Sequence, residues 1–240
     1  SNTSQAGPQI PESSTPPSYR LADAFIWARA LQLTRDVERL FLGYQYGEAG
    51  RQIYEFFWSD YADWYLEIAK LQIAEGGDRR IRTVDLMVRI LDLCLRLLHP
   101  FTPFVTEELW GHLKAACQAA SQTILPVSGK WEEALIIAQW PEPMTEESWE
   151  AENVQEFLLF QEVVRTIRNL RSEKNVKPRQ KLAAVIVEGE ERKGLYDYEA
   201  RNLAALAGLD LGRVQVLQGL DTKPEGHIAL VVGPIQLYLP

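Results

Sequence analysis

Seven basic residues fall in the stretch from Arg165 to Lys181: Arg165, Arg168, Arg171, Lys174, Lys177, Arg179 and Lys181, with Glu173 as the one acid among them. A guanidinium pairs bidentately with phosphate and stacks on flat rings, and an ammonium neutralises phosphate as a point charge. Arg168 and Arg171 therefore suit specific contacts, with Lys174, Lys177 and Lys181 as clamps on a charged backbone. The whole chain carries a formal net charge of −8. So large a local reversal of sign points to a polyanion or an acidic partner. A solvated helix face would give the same run, but Asn169 and Asn175 add neutral hydrogen-bonding groups, and Pro178 holds the segment where a helix ends.

A second candidate is aromatic. Between Tyr54 and Tyr65 the chain holds more rings than one helical face can bury. Most belong in a core. Tyr54, Trp58 and Tyr65 nevertheless fall on a face offset from Phe57, Tyr61 and Trp64, and a ring left exposed beside Arg51 could stack an unpaired base. Tyr44 and Tyr46 flank a turn, either as a staple between helices or as ligand contacts. His99 precedes a proline at a helix end, where its charge suits the dipole. His112 and His227 have no neighbours that suggest a relay or a metal. The chain has no phosphate-binding glycine loop, dinucleotide turn, nucleophile elbow or zinc-spaced Cys or His pair. No catalytic, cofactor-binding or metal-binding residue is assigned, and binding is the better reading.

The elements that must position these groups follow from periodicity. Helical spacing runs over 21–41, then from Gly47 to the break at Glu75-Gly76-Gly77-Asp78, with Ile53, Phe57, Tyr61, Trp64 and Ile68 on one face. A third helix, 81–99, is dense in Leu, Ile, Val and Met, which predicts a central place in a bundle; Pro100 ends it. Thr102-Pro103 starts a fourth helix running to about Ala119, with Glu107 and Glu108 facing its positive end. The stretch 120–145 is a long loop, with an extended run at 134–138. A fifth helix covers 146–171, with Phe157, Phe160, Val164, Ile167 and Leu170 inward and Arg165, Arg168 and Arg171 largely outside. Beyond Pro178 the period changes: strands at 182–187, 214–217, 228–232 and 235–239 and a helix at 195–207 give β-α-β-β, with a hairpin at Gly233-Pro234. No internal repeat is present.

With 240 residues, 46% of them hydrophobic, the chain has ample material for a core. Residues 1–19 have almost nothing to bury and read as a flexible linker or a cloning remnant. Arg89, Asp92 and Arg96 interrupt the most hydrophobic helix, so no membrane span is expected. Cys94 and Cys117 lack metal-ligand spacing, and a reducing compartment fits them.

Several strings read together resemble a known family. They are Leu21-Ala22-Asp23, Asp63-Trp64-Tyr65-Leu66-Glu67, the run from Leu97 through His99-Pro100-Phe101-Thr102-Pro103-Phe104-Val105-Thr106-Glu107-Glu108-Leu109-Trp110, and Trp140-Pro141. They look like the anticodon-binding region of class I aminoacyl-tRNA synthetases, and the His-Pro-Phe-Thr-Pro string is shared among the enzymes for valine, isoleucine and leucine. Adding Arg168-Asn169-Leu170-Arg171-Ser172-Glu173-Lys174-Asn175-Val176 and the closing Gln236-Leu237-Tyr238-Leu239-Pro240 brings the resemblance, over about 20–240, to the valyl-tRNA synthetase family. Two departures stand out. Ala24 sits where the family commonly has Arg after Leu-Ala-Asp, and the catalytic signatures His-Ile-Gly-His and Lys-Met-Ser-Lys-Ser are absent.

The resemblance implies a mainly α fold: a helical anticodon-binding bundle over 20–172, of antiparallel type, followed by a small α/β domain over 173–240 that contacts the tRNA body. It implies a tRNA-recognition region of a valine-tRNA ligase, inactive alone and cytoplasmic. Its partners would be tRNA(Val) and the catalytic and editing domains of the same polypeptide; neither membrane nor DNA is expected, and the protein would be monomeric. ATP and Mg²⁺ would serve the intact enzyme, with no cofactor in this region. The tRNA contacts expected are Arg51, Tyr54, Trp58, Arg165, Arg168, Asn169, Arg171, Lys174, Lys177 and Lys181. Three alternatives stay open: the same region of an isoleucyl or leucyl enzyme, a helical module whose basic strip binds an acidic protein, and an independent enzyme.

Overall fold

The computed structural model describes residues 20–120, 124–189, 194–220 and 222–240, so the 1–19 stretch lies outside it. The chain divides into two compact units, one ending at Val154 and one spanning Gln155–Pro240. This division follows packing and falls inside a helix, whereas the sequence places it at that helix's end, after 172.

The first unit is helical: α1 (Leu21–Leu42), α2 (Tyr46–Glu55), a widened helical segment (Phe56–Tyr65), α3 (Leu66–Ala74), α4 (Gly77–Leu98) and α5 (Pro103–Ala119). The central place expected of α4 is shared by α1, whose Ala22, Ala24, Ala28 and Ala30 are all buried. Small side chains on several sides let α2, the widened segment and α4 all pack closely on α1. Asp23 is buried there and accepts hydrogen bonds from Arg79 Nη1 (2.8 Å) and the Tyr65 hydroxyl (3.1 Å). Burial pushes its carboxyl above the ordinary range, against the opposing pull of Arg79.

The helix from Tyr46 to Ala74 is continuous, but over Phe56–Tyr65 its turns are widened, and the Leu66 N–H donates to Tyr61 O five residues back. The wider turn moves the buried face. Phe56 is buried in place of Phe57, and Tyr61, Trp64 and Tyr65 are all inside. Tyr65, read from a uniform 3.6-residue period as an outward ring beside Tyr54 and Trp58, is therefore a core residue.

A buried polar cluster fixes the corner of α4 and α5 and the loop after it. Arg96 Nε donates to both oxygens of Asp92 at 3.0 Å, Trp110 Nε1 donates to Asp92 Oδ1 at 2.7 Å, and Val127 N donates to Asp92 Oδ2 at 2.8 Å. Arg96 Nη1 donates to Gln139 O (2.7 Å) and Nη2 to Ser128 Oγ (3.1 Å). With these bonds made, the ion pair tolerates burial. The 134–138 run is not extended: Leu135–Ile137 forms a 3₁₀ turn whose Leu135 and Ile136 amides donate to the Glu107 carboxylate at 2.7 and 3.2 Å.

The helix α6 (Ser148–Glu173) passes from one unit into the other. From Gln155 onward its Phe157, Phe160, Val164, Ile167 and Leu170 are buried, as their spacing predicts. The second unit continues with β1 (Leu182–Val187), α7 (Leu195–Ala207), β2 (Leu209–Leu217), β3 (Ile228–Val232) and β4 (Ile235–Leu239). The sheet order is β2-β1-β4-β3; β1 and β2 are parallel, and β4 runs antiparallel to both β1 and β3. Val232 pairs with Ile235 across the expected Gly233-Pro234 hairpin. Strand β2 starts at Leu209 rather than 214, because Gly208, at φ 71°, turns the chain straight out of α7.

Candidate nucleic-acid interface

The basic run sits on the last turns of α6 and the loop that follows. The Val176 N–H donates to Arg171 O at 2.9 Å and the Asn175 N–H to Ser172 O at 3.0 Å, with Asn175 at φ 53°. This is the 6→1 and 5→2 pattern of a left-handed helix stop, which asparagine tolerates better than most residues. A turn follows, closed by Gln180 N donating to Lys177 O at 2.9 Å with Pro178 second in it. Lys174, Lys177, Arg179 and Lys181 are exposed along this path, as are Arg165, Arg168 and Asn169 on the helix.

Arg171 does not belong with them. Only 9% exposed, it donates from Nη1 to Gly208 O (3.0 Å) and from Nη2 to Gln180 O (2.9 Å) and Lys177 O (3.3 Å). The expectation that its side chain stands outside the helix is corrected: the guanidinium ties the end of α6 to the turn and to the start of β2. Arg168 is exposed yet donates from Nε to Leu206 O at 2.8 Å, which orients it. Several cations also lie close to the carbonyl end of α6, where they complement its dipole.

In the first unit Tyr54 is 60% and Trp58 51% exposed, with ring centroids 6.1 Å apart, so two of the three expected outward rings are outward. Arg51 is exposed but held between Glu48 and Glu55. Its guanidinium holds the Glu48 carboxyl down at about 2, so this cation is largely neutralised locally. A pattern of charge along the sequence does not reveal such i−3 and i+4 pairing partners unless both helical neighbours are checked.

One ring escaped the sequence reading. Phe104, inside the His-Pro-Phe-Thr-Pro-Phe string, is 91% exposed. Tyr44, at φ 55°, and Tyr46 are exposed at the α1–α2 turn, 6.3 Å apart, and Tyr46 packs edge-on against Phe41 at 5.2 Å. His99 Nδ1 lies 2.8 Å from Thr106 Oγ1, which places it in the α4–α5 corner. Among the described residues no group of three or more His, Cys, Asp or Glu side chains could hold a metal ion, and no helix is long and apolar enough to cross a membrane.

Comparison with known proteins bears on the same stretch. Residues 23–187 match the family described as the anticodon-binding domain of tRNA ligase. The chain is 35% identical over 243 aligned residues to the valine–tRNA ligase of Dehalococcoides mccartyi (strain CBDB1), covering 100% of this chain and 25% of that protein. It is 33% identical over 245 residues to the valine–tRNA ligase of Gloeobacter violaceus, covering 100% and 25%. To that of Lactobacillus johnsonii it is 37% identical over 186 residues, covering 76% and 19%. The chain thus spans between 19% and 25% of the length of these three relatives.

Proposed function

The chain belongs to the anticodon-binding domain family of tRNA ligases, and we propose that it serves a valine-tRNA ligase by holding tRNA(Val) at its anticodon arm. The observation that carries this reading is the exposed row Lys174, Lys177, Arg179 and Lys181, following Arg165 and Arg168, on a chain of net charge −8. Phosphates would be held by these cations, with Asn169 supplying a neutral hydrogen-bonding group and Arg171 keeping the segment in place. Unpaired bases would stack on Tyr54 and Trp58, each stack contributing roughly 1–3 kcal/mol. The negative remainder of the surface disfavours indiscriminate nucleic-acid binding, DNA included.

In this reading the catalytic and editing domains of the same polypeptide attach and proofread valine, and ATP and Mg²⁺ serve activation there. This region alone would not aminoacylate, and it would work as a monomer in the cytoplasm. The test is a titration of the purified chain with tRNA(Val), tRNA(Ile) and tRNA(Leu) at one fixed salt concentration. At least tenfold tighter binding of tRNA(Val) is expected; equal affinity for all three would overturn the assignment to valine.

A further inference from the structure

A cavity of about 220 Å³ lies between α1, α4 and the connection that follows α5. Its volume falls below the roughly 300–1,000 Å³ of drug-sized sites and matches a compact body carrying one polar group. Every residue around it belongs to the first unit.

Two ion pairs hold the connection in place as a wall. Arg96 and Asp92 together fasten Val127 N, Ser128 Oγ and Gln139 O. Arg35, paired with Glu150 at 2.5 Å, donates from Nη1 to Met144 O at 3.3 Å. Trp140 packs on Phe41 with ring centroids 5.5 Å apart, and Pro141 beside it is buried. A wall made of irregular chain is thus fixed before a ligand arrives, which lowers the cost of binding.

The chemistry of the lining is one-sided. Trp27, Leu31, Leu93, Val127, Trp140 and Met144 make it mainly apolar, and no Lys, Arg or His lines it. The hydroxyls are engaged: Thr34 Oγ1 donates to Ala30 O at 2.9 Å, and Ser128 Oγ accepts from Arg96 and donates to Lys130 O at 3.2 Å. Gln139 Nε2 donates to Glu142 Oε1 at 3.1 Å, which leaves the Gln139 amide oxygen and the second Glu142 oxygen without a donor among the described residues. Glu48, Glu55 and Glu150 each face an arginine, whereas Glu142 has no cation beside it among those residues. The indole N–H groups of Trp27 and Trp140 are the donors left, and neither carries charge. An anion finds no counter-charge in such a site. An ammonium finds a carboxylate, an amide oxygen and two indole rings.

We infer that this cavity binds a small organic ammonium compound, with its apolar body against Trp27, Leu31 and Leu93 and its N–H groups on Glu142 and Gln139. Such a ligand is distinct in charge and size from any nucleic acid.

The test titrates the full 240-residue chain with phenethylammonium, and with phenethyl alcohol and hydrocinnamate as its neutral and anionic counterparts. Proton–nitrogen NMR follows the indole N–H signals, those of Trp27 and Trp140 being assigned from Trp27→Phe and Trp140→Phe. Phenethylammonium should move both signals saturably with a Kd of about 0.1–1 mM, as befits so small a ligand. Phenethyl alcohol should bind at least about tenfold more weakly, and hydrocinnamate should leave the signals in place. Glu142→Gln alters an exposed side chain and should bring the ammonium to within about threefold of the alcohol. Absence of a saturable shift, equal affinity for ammonium and alcohol, or a full preference kept by Glu142→Gln would each overturn the site. Tighter binding of Nα-acetyl-lysine amide than of phenethylammonium would overturn the small molecule as occupant and assign the cavity to a protein lysine.

Discussion

Arg171 and the lysines three to ten positions after it should separate cleanly in experiment, though in sequence they are one basic run. Replacing Arg171 with Ala removes two good charge-assisted bonds, to Gly208 O at 3.0 Å and Gln180 O at 2.9 Å, and a longer one to Lys177 O at 3.3 Å. Each good bond of this kind is worth about 1.5–3 kcal/mol, and some is returned when the guanidinium's desolvation is no longer required, which leaves a net loss of about 3 kcal/mol. A loss of that size corresponds to roughly hundredfold faster amide exchange wherever exchange follows opening of the second unit. All seven tryptophans precede Gln155, so their fluorescence reports the first unit. Hydrogen exchange of the β1 and β4 amides is therefore the assay, with tryptophan fluorescence as the internal control. The affinity of folded Arg171→Ala protein for tRNA should stay within about threefold of the unaltered chain. The Lys174→Ala, Lys177→Ala, Lys181→Ala triple variant should do the reverse: exchange unchanged, affinity lower, and the slope of log affinity against log salt reduced by roughly one for each lysine. Unchanged exchange in Arg171→Ala together with a tenfold loss of tRNA affinity would refute the assignment of this side chain to the fold.

Gly208→Ala should destabilise the second unit by about 1–3 kcal/mol in denaturant titrations followed by hydrogen exchange. An added Cβ would lie 3.1 Å from Arg171 Cζ at a φ of 71°, and the Gly208→Ala, Arg171→Ala pair should be less than additive. Arg96→Met, which leaves the Asp92 charge buried without its partner, should cost about 3–5 kcal/mol and shift the tryptophan-monitored unfolding of the first unit, whereas Arg89→Met, on the half-exposed pair with Asp85, should shift it by about 1 kcal/mol or less. The Glu48 carboxyl, held at about 2 against an ordinary 4.5, should titrate there by NMR and move up in Arg51→Ala. Its folded value lies below its unfolded one, so its stabilising contribution is complete above the ordinary value and is lost as pH falls through about 2.

Which parts could be read ahead of the structure follows from how far each property reaches along the chain. Helix and strand positions are set by local period and punctuation, so Pro100, Gly76-Gly77 and Gly233-Pro234 mark breaks where the chain indeed breaks. A period, however, assumes constant winding. The widened segment at Phe56–Tyr65 violates that assumption, which is why Tyr65 turned from a surface ring into a core one bonded to Asp23, while Tyr54 and Trp58, earlier on the helix, stayed outside. Charge fails for a related reason. Arg171 and Lys174 are equivalent in composition, and the difference lies in the carbonyls that Gly208 and the Lys177–Gln180 turn bring to Arg171 from more distant positions. A basic run can thus point to a polyanion, since total charge survives any folding of the segment. Which of its cations stay outside depends on the carbonyls that tertiary neighbours bring to them, so that is legible in the folded chain alone.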